Sequence, residues 1–506
     1  MATAVALVAV GCKTPDLSGP VVTSPDLVTP TPTPETVDPV VPGPTAEPTH
    51  TGVTDDVIRV GVIADAVAGN SVSTGSEAAW LAMRAWAQAV NSTGGLGGRD
   101  VEVVLINSNV FDHREAVQEA CESDIFALVG SHAVFDGDGV DILNDESCRL
   151  PDFPAAALTP ARRESPVTFV SNPTANDVWQ AGPARYLSER FPEAAAAVGT
   201  VVIDLPEAFY RAQRDIEAST ANGFDVTFQA TAEIVDQDHD SLAAALVDAE
   251  VRALSWSADS NRLQELLGAW TRLTAELAAI EASQPPDEPE PDPADVEAPT
   301  QDGEEAGDAG DEGSDEAEEP APEPSPPALE FVHCSADCYG PSWTAEAAEL
   351  GTDLWVSISM LPFEEPGDNV ELVRYVLFLR EEVDENAELE LIGLSSWASA
   401  LLFEEAVNRA MFTSGGGLTR DLVIEAAGTI TEWDARGLHG TTNPAEGIPS
   451  PCFMLVSPTP SGWIRRHPLT QGTLDCESDN LVRLVESATL GVNPSPSDRA
   501  AAGRSG

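Results

Sequence analysis

Short apolar runs alternate with amphipathic stretches along most of this chain. The runs VIRVGVI (57–63), VEVVLIN (101–107) and IFALVGS (125–131) are rich in β-branched residues and predict strands. Between them, GSEAAWLAMRAWAQAVN (75–91) carries Trp80, Met83, Trp86 and Val90 at helical spacing, and HREAVQEACE (113–122) repeats that habit. GVDILNDE (139–146) predicts a further helix and DFPAAAL (152–158) a strand. After Asn172 the alternation resumes. Helices are expected at 176–191, 208–220, 240–250 and 261–280, with strands at 198–205, 224–230 and 252–257. Nearly unbroken apolar strands separated by helices mark parallel sheets covered on both faces, so two α/β lobes in tandem are predicted.

The glycine cluster in NSTGGLGGRDVEVVL (91–105) needs its own reading, because phosphate-binding loops are also glycine-rich. Such a loop follows a strand and opens a helix, where backbone amides face the anion. Here the order is reversed. Gly94 and Gly95 follow a helix and Gly97 and Gly98 lead into a strand, so the cluster predicts a helix C-cap and turn.

Two segments break the alternation. Residues 13–54 predict an extended stalk, whose Thr-Pro and Ser-Pro-rich part from Pro15 to about Pro48 could span roughly 100 Å at ~3 Å per residue. Residues 283–327 are Pro, Gly, Ala, Asp and Glu without a basic residue, and predict a disordered acidic insert. The fold resumes at LEFVHCS (329–335), and a disordered tail is expected over 486–506.

Composition narrows the function. The chain has 506 residues and a formal net charge of -60, with Lys13 as its single lysine. A surface of that sign repels nucleic acid and anionic lipid. Ahead of the stalk, ATAVALVAVGCKT is too short to span a bilayer and ends in Ala9-Val10-Gly11-Cys12. That ending resembles the bacterial lipobox, whose cysteine becomes lipid-modified; the basic leader usual ahead of such a run is missing, which leaves a start upstream as an expectation. An exported, membrane-tethered protein is expected.

Seven cysteines minus Cys12 leave six. Proximity in sequence pairs Cys121 with Cys148, Cys334 with Cys338 and Cys452 with Cys476, as suits an oxidising compartment. The cluster HCSADC (333–338) could instead offer metal ligands, but it lacks a second ligand pair, so a disulfide is preferred. DGDGVD (136–141) fails as a calcium loop, with Val140 at the fifth position and Ser147 at the twelfth. His132 has no nucleophile motif beside it and reads as a cleft-lining or capping residue. No metal, cofactor or enzymatic chemistry is indicated.

Three stretches in order, IRVGVIADAVAGN (58–70), the helix-turn-strand of 75–108 and CESDIFALVGS (121–131), resemble the start of the type I periplasmic binding proteins of the leucine/isoleucine/valine-binding group. GLSSWASALLFEEAVNRAM (393–411) and LTRDLVIEAAGTITEWDARGLHG (418–440) resemble that group's C-terminal helices. The resemblance implies two Rossmann-like lobes with parallel sheets joined by three hinge crossovers. Lobe 1 would comprise about 55–171 and 362–440, and lobe 2 about 172–361 and 441–485. It further implies a monomeric receptor that closes on a small amino-acid-like or polar solute and delivers it to an ABC permease. A surface lipoprotein that senses a ligand or partner through the same fold is the alternative.

Carried over position by position, the resemblance places ligand contacts at Ser131 and Ala133 after the third strand, and at Ala157 and Thr159 after the fourth. Tyr210 would cover the ligand from lobe 2, and Trp397 would wall the pocket. Arg211 departs from the group, which has Gly after that tyrosine, and Asp259 is the only carboxylate offered for a ligand ammonium.

Overall fold

The computed structural model describes residues 51–65, 76–204, 206–233, 237–283, 328–340, 343–350 and 352–484, the side chains of 206–208, 210 and 281 excepted. The chain divides into Met1–Pro42 and Gly43–Gly506, and all of the architecture below belongs to the second unit. Cys12, the stalk up to residue 50, the acidic insert from 284 onward and the tail lie outside the described residues.

The first lobe is built on β1 (Val57–Ala64), α1 (Ser76–Asn91), β2 (Asp100–Asn107), α2 (His113–Glu122), β3 (Ala127–Val129), α3 (Val140–Asn144), β4 (Asp152–Phe153) and α4 (Pro160–Arg163). Its strands form one parallel sheet in the order β2-β1-β3-β4. The fourth strand is shorter than DFPAAAL suggested. Regular pairing with β3 covers only Asp152 and Phe153, and beyond it the Ala155 amide still reaches the Ser131 carbonyl (2.9 Å).

The second lobe contains β5 (Val178–Gln180), α5 (Gly182–Arg190), α6 (Pro192–Ala195), β6 (Val198–Ile203), α7 (Pro206–Thr220), β7 (Val226–Ala232), α8 (His239–Asp248), β8 (Ala253–Ser257), α9 (Ser260–Ser283), β9 (Phe331–Cys334), α10 (Thr344–Glu349) and β10 (Leu354–Ile358). The chain then returns to the first lobe as α11 (Val370–Leu377), which runs into a π turn (Phe378–Val383), α12 (Leu391–Ser414) and α13 (Arg420–Ala427). It ends in β11 (Met454–Thr459), β12 (Gly462–His467) and β13 (Leu481–Arg483). The second sheet has the order β12-β11-β10-β9-β8-β6-β7, with β6 to β10 parallel and β11 and β12 added antiparallel at one edge. Residues 176–191, read as one helix, are a strand and a helix. Pro183 belongs in a helix's first turn, so α5 starts at Gly182, and Val178–Gln180 pair instead with β13.

Each sheet has its own core. Residues of 53–169 and 360–438 pack into one cluster around Trp86, Phe126, Phe153, Trp397 and Phe403. The largest cluster of the other lobe gathers Trp256, Trp270, Tyr339, Trp343 and Trp463. Three crossings join the lobes, and they are laced to one another. Asn172 Nδ2 donates to Ser359 Oγ (2.8 Å) and Thr442 Oγ1 donates to the Ser171 carbonyl (2.8 Å). Ser171 Oγ accepts from Trp433 Nε1 (2.8 Å) and donates to His439 Nε2 (2.8 Å).

The three disulfides are those proximity in sequence suggested. Cys121–Cys148 ties α2 to the approach to β4, Cys334–Cys338 closes the turn after β9, and Cys452–Cys476 pins the approach to β11. The glycine cluster is a turn. Gly94, Gly95, Gly97 and Gly98 all have positive φ, and Asn91 grips the entering strand, its side chain bonding the Val101 carbonyl (2.9 Å) and amide (2.7 Å). At Gly95, φ is +75° and a Cβ would lie 1.9 Å from the Arg99 carbonyl oxygen. Gly95→Ala is therefore expected to cost about 2 kcal/mol or more in urea unfolding, from backbone strain and clash together. Gly94→Ala, with open space around its Cβ, should cost distinctly less, and equal losses would count against this reading of the turn.

Candidate ligand-binding cleft

Parallel strands send their side-chain-bearing loops to the carboxyl edge of the sheet, the edge at which open α/β sheets bind ligands. In the first lobe that edge is Asp65 after β1, Ser131 to Ala133 after β3 and Ala157 to Thr159 after β4. Two carboxylates shape it. Asp65 accepts from Ser108 Oγ (2.6 Å) and the Val134 amide (2.9 Å). Asp136 accepts the amides of Leu158 (2.6 Å) and Thr159 (3.1 Å), which binds the loop after β3 to the loop after β4. Burial lifts the Asp136 carboxyl above its ordinary range, against the pull of Arg162 and those two amides.

Ser131, Ala133, Ala157 and Thr159 thus come together on one edge, and their polar groups are already at work. Ser131 Oγ accepts from the Ile63 amide (3.0 Å). Thr159 caps α4, its hydroxyl accepting from the Arg162 amide (3.3 Å). The carbonyls of Ala157 and Leu158 accept from Arg163 Nε (3.0 Å) and NH2 (2.7 Å), and Arg163 NH1 reaches Asn176 Oδ1 (3.1 Å). His132 Nδ1 lies 3.1 Å from Ser76 Oγ at the start of α1, and burial holds its imidazole below the usual range while Asp65 and Asp337 pull it upward.

The second lobe contributes charge. Asp337 is exposed at the tip of the turn closed by Cys334–Cys338, with one oxygen accepting from Ser335 Oγ (2.8 Å). Arg211 and Asp215 sit one turn apart on α7, with Arg211 Nε and Asp215 Oδ2 3.9 Å apart, too far for a hydrogen bond. Their side chains are 42% and 37% exposed, yet protein surrounds them deeply enough that desolvation dominates both. α7 leaves the carboxyl end of β6, so both groups lie toward that edge of the second sheet. Asp215 is pushed up to about 6, chiefly by burial; Arg211 and Arg163 lower it and Asp337 raises it. Two of these influences cross between lobes, Asp337 acting on His132 and Arg163 on Asp215. The carboxyl edges of the two sheets therefore face each other.

Other sequence-named residues lie elsewhere or do other work. Trp397 is a correction. Its ring is fully buried in the first lobe, edge-on to Tyr375, with Nε1 donating to Glu371 Oε1 (2.9 Å). On α12, Ser396 and Ser399 face β3 and β4, donating to the carbonyls of Gly130 (3.0 Å) and Pro154 (2.7 Å), whereas Trp397 turns toward α11 as core. Asp259 opens α9, accepting the Arg262 amide (3.0 Å) and pairing with the Arg262 guanidinium, so its carboxylate is committed to a helix start. The Tyr210 side chain lies outside the described residues. No cluster among the described residues could hold a metal ion; Asp141 of DGDGVD pairs with Arg114 (2.7 Å) and the Asp138 carbonyl accepts from His113 (2.6 Å).

Sequence reasoning weighed Asp136 and Asp337 only as metal ligands and passed over Arg163 and Asp215. The signal for Asp337 was present in HCSADC, where a short disulfide loop after a strand must present its middle residues outward. Asp215 and Arg163 gave none, because an acid on an amphipathic helix and a base in a helix's last turn are ordinary surface choices.

No family model matches the sequence, and no curated protein matches it. Solved structures do match in fold. A fatty acid ABC transporter substrate-binding protein from Thermomonospora curvata superposes with a TM-score of 0.59 at 15% identity, covering 84% of this chain and 98% of that one. A solute binding protein of an ABC transporter from R. palustris, in complex with 4-hydroxybenzoate, gives 0.58 at 13% identity, covering 81% and 96%. A leucine binding protein from Thermotoga maritima gives 0.57 at 11% identity, covering 81% and 97%. The fold is that of the type I periplasmic binding proteins.

Proposed function

We propose that this chain is an extracytoplasmic solute-binding protein that captures a small polar, amino-acid-like or related organic ligand between its lobes and hands it to an ABC permease. The observation that carries the reading is the pair of open, mainly parallel sheets, each with its own core, joined by three hydrogen-bonded crossings; the influence of Asp337 on His132 and of Arg163 on Asp215 across the lobes accords with it. The fold it shares with substrate-binding proteins for fatty acid, 4-hydroxybenzoate and leucine supports the same reading. In it, the edge formed by Ser131, Ala133, Ala157 and Thr159 receives the ligand and Tyr210 covers it from α7. The laced crossings at Ser171, Ser359 and His439 act as the hinge. Cys12 carries a lipid anchor and the Pro/Thr-rich stalk holds the monomeric receptor away from the membrane. It is a receptor and not an enzyme.

Thermal unfolding of the full chain against amino acids, short amides, sugars and organic acids tests this. A ligand at a hundred times its dissociation constant should stabilise the fold by about 2.7 kcal/mol. The same ligand should shrink the radius of gyration in X-ray scattering as the lobes close. A folded, monodisperse sample that responds to no compound would sink the proposal.

A further inference from the structure

Of the charged groups facing the cleft, most are spent. Arg163 gives Nε and NH2 to carbonyls and NH1 to Asn176. Asp65 is taken by Ser108 and the Val134 amide, Asp136 by two amides, and His132 lies against Ser76. Ser131 and Thr159 already serve their own lobe as acceptors. Arg211 is different. Its guanidinium stands 42% exposed on α7, which leaves the carboxyl end of β6, and among the described residues its ion-pair neighbour is Asp215, 3.9 Å away. A guanidinium carries five N–H donors in a planar fork that matches a carboxylate bidentately, and a cleft that shields it from bulk water strengthens that match.

Resting on the solute-receptor reading, we propose that Arg211 is the specificity-determining anchor of this cleft, holding the carboxylate of an organic-acid ligand from lobe 2. The two acids beside it set its working state. The charges of Asp337 and Asp215 favour the ionised form of Arg211 against its burial, and Asp215 Oδ2 stays 3.9 Å from Nε, beyond hydrogen-bond reach. A carboxylate entering the cleft replaces the loose 3.9 Å approach of Asp215 with hydrogen bonds. Because Arg211 stands on α7 while the ligand rests on the loops after β3 and β4, the contact forms fully only as the lobes close, and so it favours the closed state.

The test uses the full chain with matched probes: benzoate, 4-hydroxybenzoate, octanoate and leucine, each against its primary amide. Binding is measured by calorimetry and thermal shift on the wild type, Arg211→Met and Arg211→Lys. At least one carboxylate is expected to bind the wild type tenfold or more tightly than its amide. Arg211→Met should lose that preference and Arg211→Lys should keep part of it. Both variants should melt within a few degrees of the wild type, because the residue is half exposed and its ion pair is loose; circular dichroism confirms that each is folded. Two outcomes overturn the anchor while leaving the receptor standing: a carboxylate whose affinity in Arg211→Met stays within threefold of wild type, or a preferred ligand that is an amide or amine. Failure of a folded wild type to bind any probe, or any compound of the wider panel, overturns the receptor reading and the anchor with it.

Discussion

Arg162→Met is expected to destabilise the protein by about 3–5 kcal/mol, the usual loss when one member of a buried ion pair is removed. Arg162 and Asp152 are 1% and 0% exposed, and they bond twice, Nε to Oδ2 (2.8 Å) and NH2 to Oδ1 (2.7 Å). The remaining guanidinium nitrogen, NH1, donates to His113 Nε2 (3.2 Å) and to the Asp136 carbonyl (3.3 Å), while Thr168 Oγ1 donates to Asp152 (2.8 Å). One side chain therefore joins β4, α2, α4 and the loop after β3, and its charge also favours the ionised form of Asp136. Methionine fills much of the volume and supplies none of this, leaving Asp152 buried without a counter-charge. Urea unfolding of wild type and variant measures the loss. The pair with Asp152→Asn separates causes: removing both charges should recover part of what Arg162→Met alone loses. A single-variant loss under 1 kcal/mol would mean the ion pair does not hold this edge together.

The strand and helix order of both lobes was legible because burial on two faces writes itself as apolar runs such as VIRVGVI and VGTVVID. In the stretch that resembles the group's C-terminal helices, Thr419 caps α13 with its hydroxyl on the Leu422 amide (3.2 Å), and Arg420 turns inward to the Cys148 carbonyl (2.7 Å). What failed was short-range. Asp177–Gln180 looked helical because the partner strand, β13, lies some three hundred residues away, and no local pattern reports a pairing of that range. Trp397 failed for a related reason. Sequence places it on a helix near the cleft but cannot say whether it faces the strands, as Ser396 and Ser399 do, or Glu371 of α11.

The site was half legible. The loops after β3 and β4 are adjacent in any doubly wound sheet, so Ser131, Ala133, Ala157 and Thr159 could be grouped from strand order alone. The charges of lobe 2 could not be, since Asp215 and Asp337 lie on different elements and converge only through the sheet order β9-β8-β6. Arg211 stood out in sequence only as a departure from a resemblance.

Acidification from pH 7.5 to 5.5 is expected to cost about 4 kcal/mol of stability, and buried histidines are the cause. Burial pushes His113, His333 and His439 down to about 4. The Arg162 charge adds to the effect at His113, and the backbone carbonyls at Asp138 and Gly440 oppose it at His113 and His439. The geometry agrees for two of them. His113 Nδ1 lies 2.6 Å from the Asp138 carbonyl while Nε2 receives Arg162, and His439 Nδ1 lies 2.8 Å from the Gly440 carbonyl while Nε2 receives Ser171. Each ring thus donates at one nitrogen and accepts at the other; a second proton on His113 would face the Arg162 guanidinium, and one on His439 would require Ser171 Oγ, already accepting from Trp433, to give up its donor role. With folded values near 4 and an unfolded value near 6.5, the unfolded chain binds more protons throughout that window. Stability is then full above about pH 6.5 and falls as pH drops toward 4. One unit below the unfolded value each histidine costs about 1.4 kcal/mol, hence about 4 for three. Asp215, raised to about 6, works in the opposite direction, since its contribution is lost as pH rises through that value. Relief of the -60 net charge also opposes the loss, which is why the urea midpoints should be compared in about 0.5 M salt. His439→Gln should flatten the slope by about a third, at the cost of some stability at neutral pH. A midpoint that holds steady or rises between pH 7.5 and 5.5 would mean that these rings are not kept neutral by the fold.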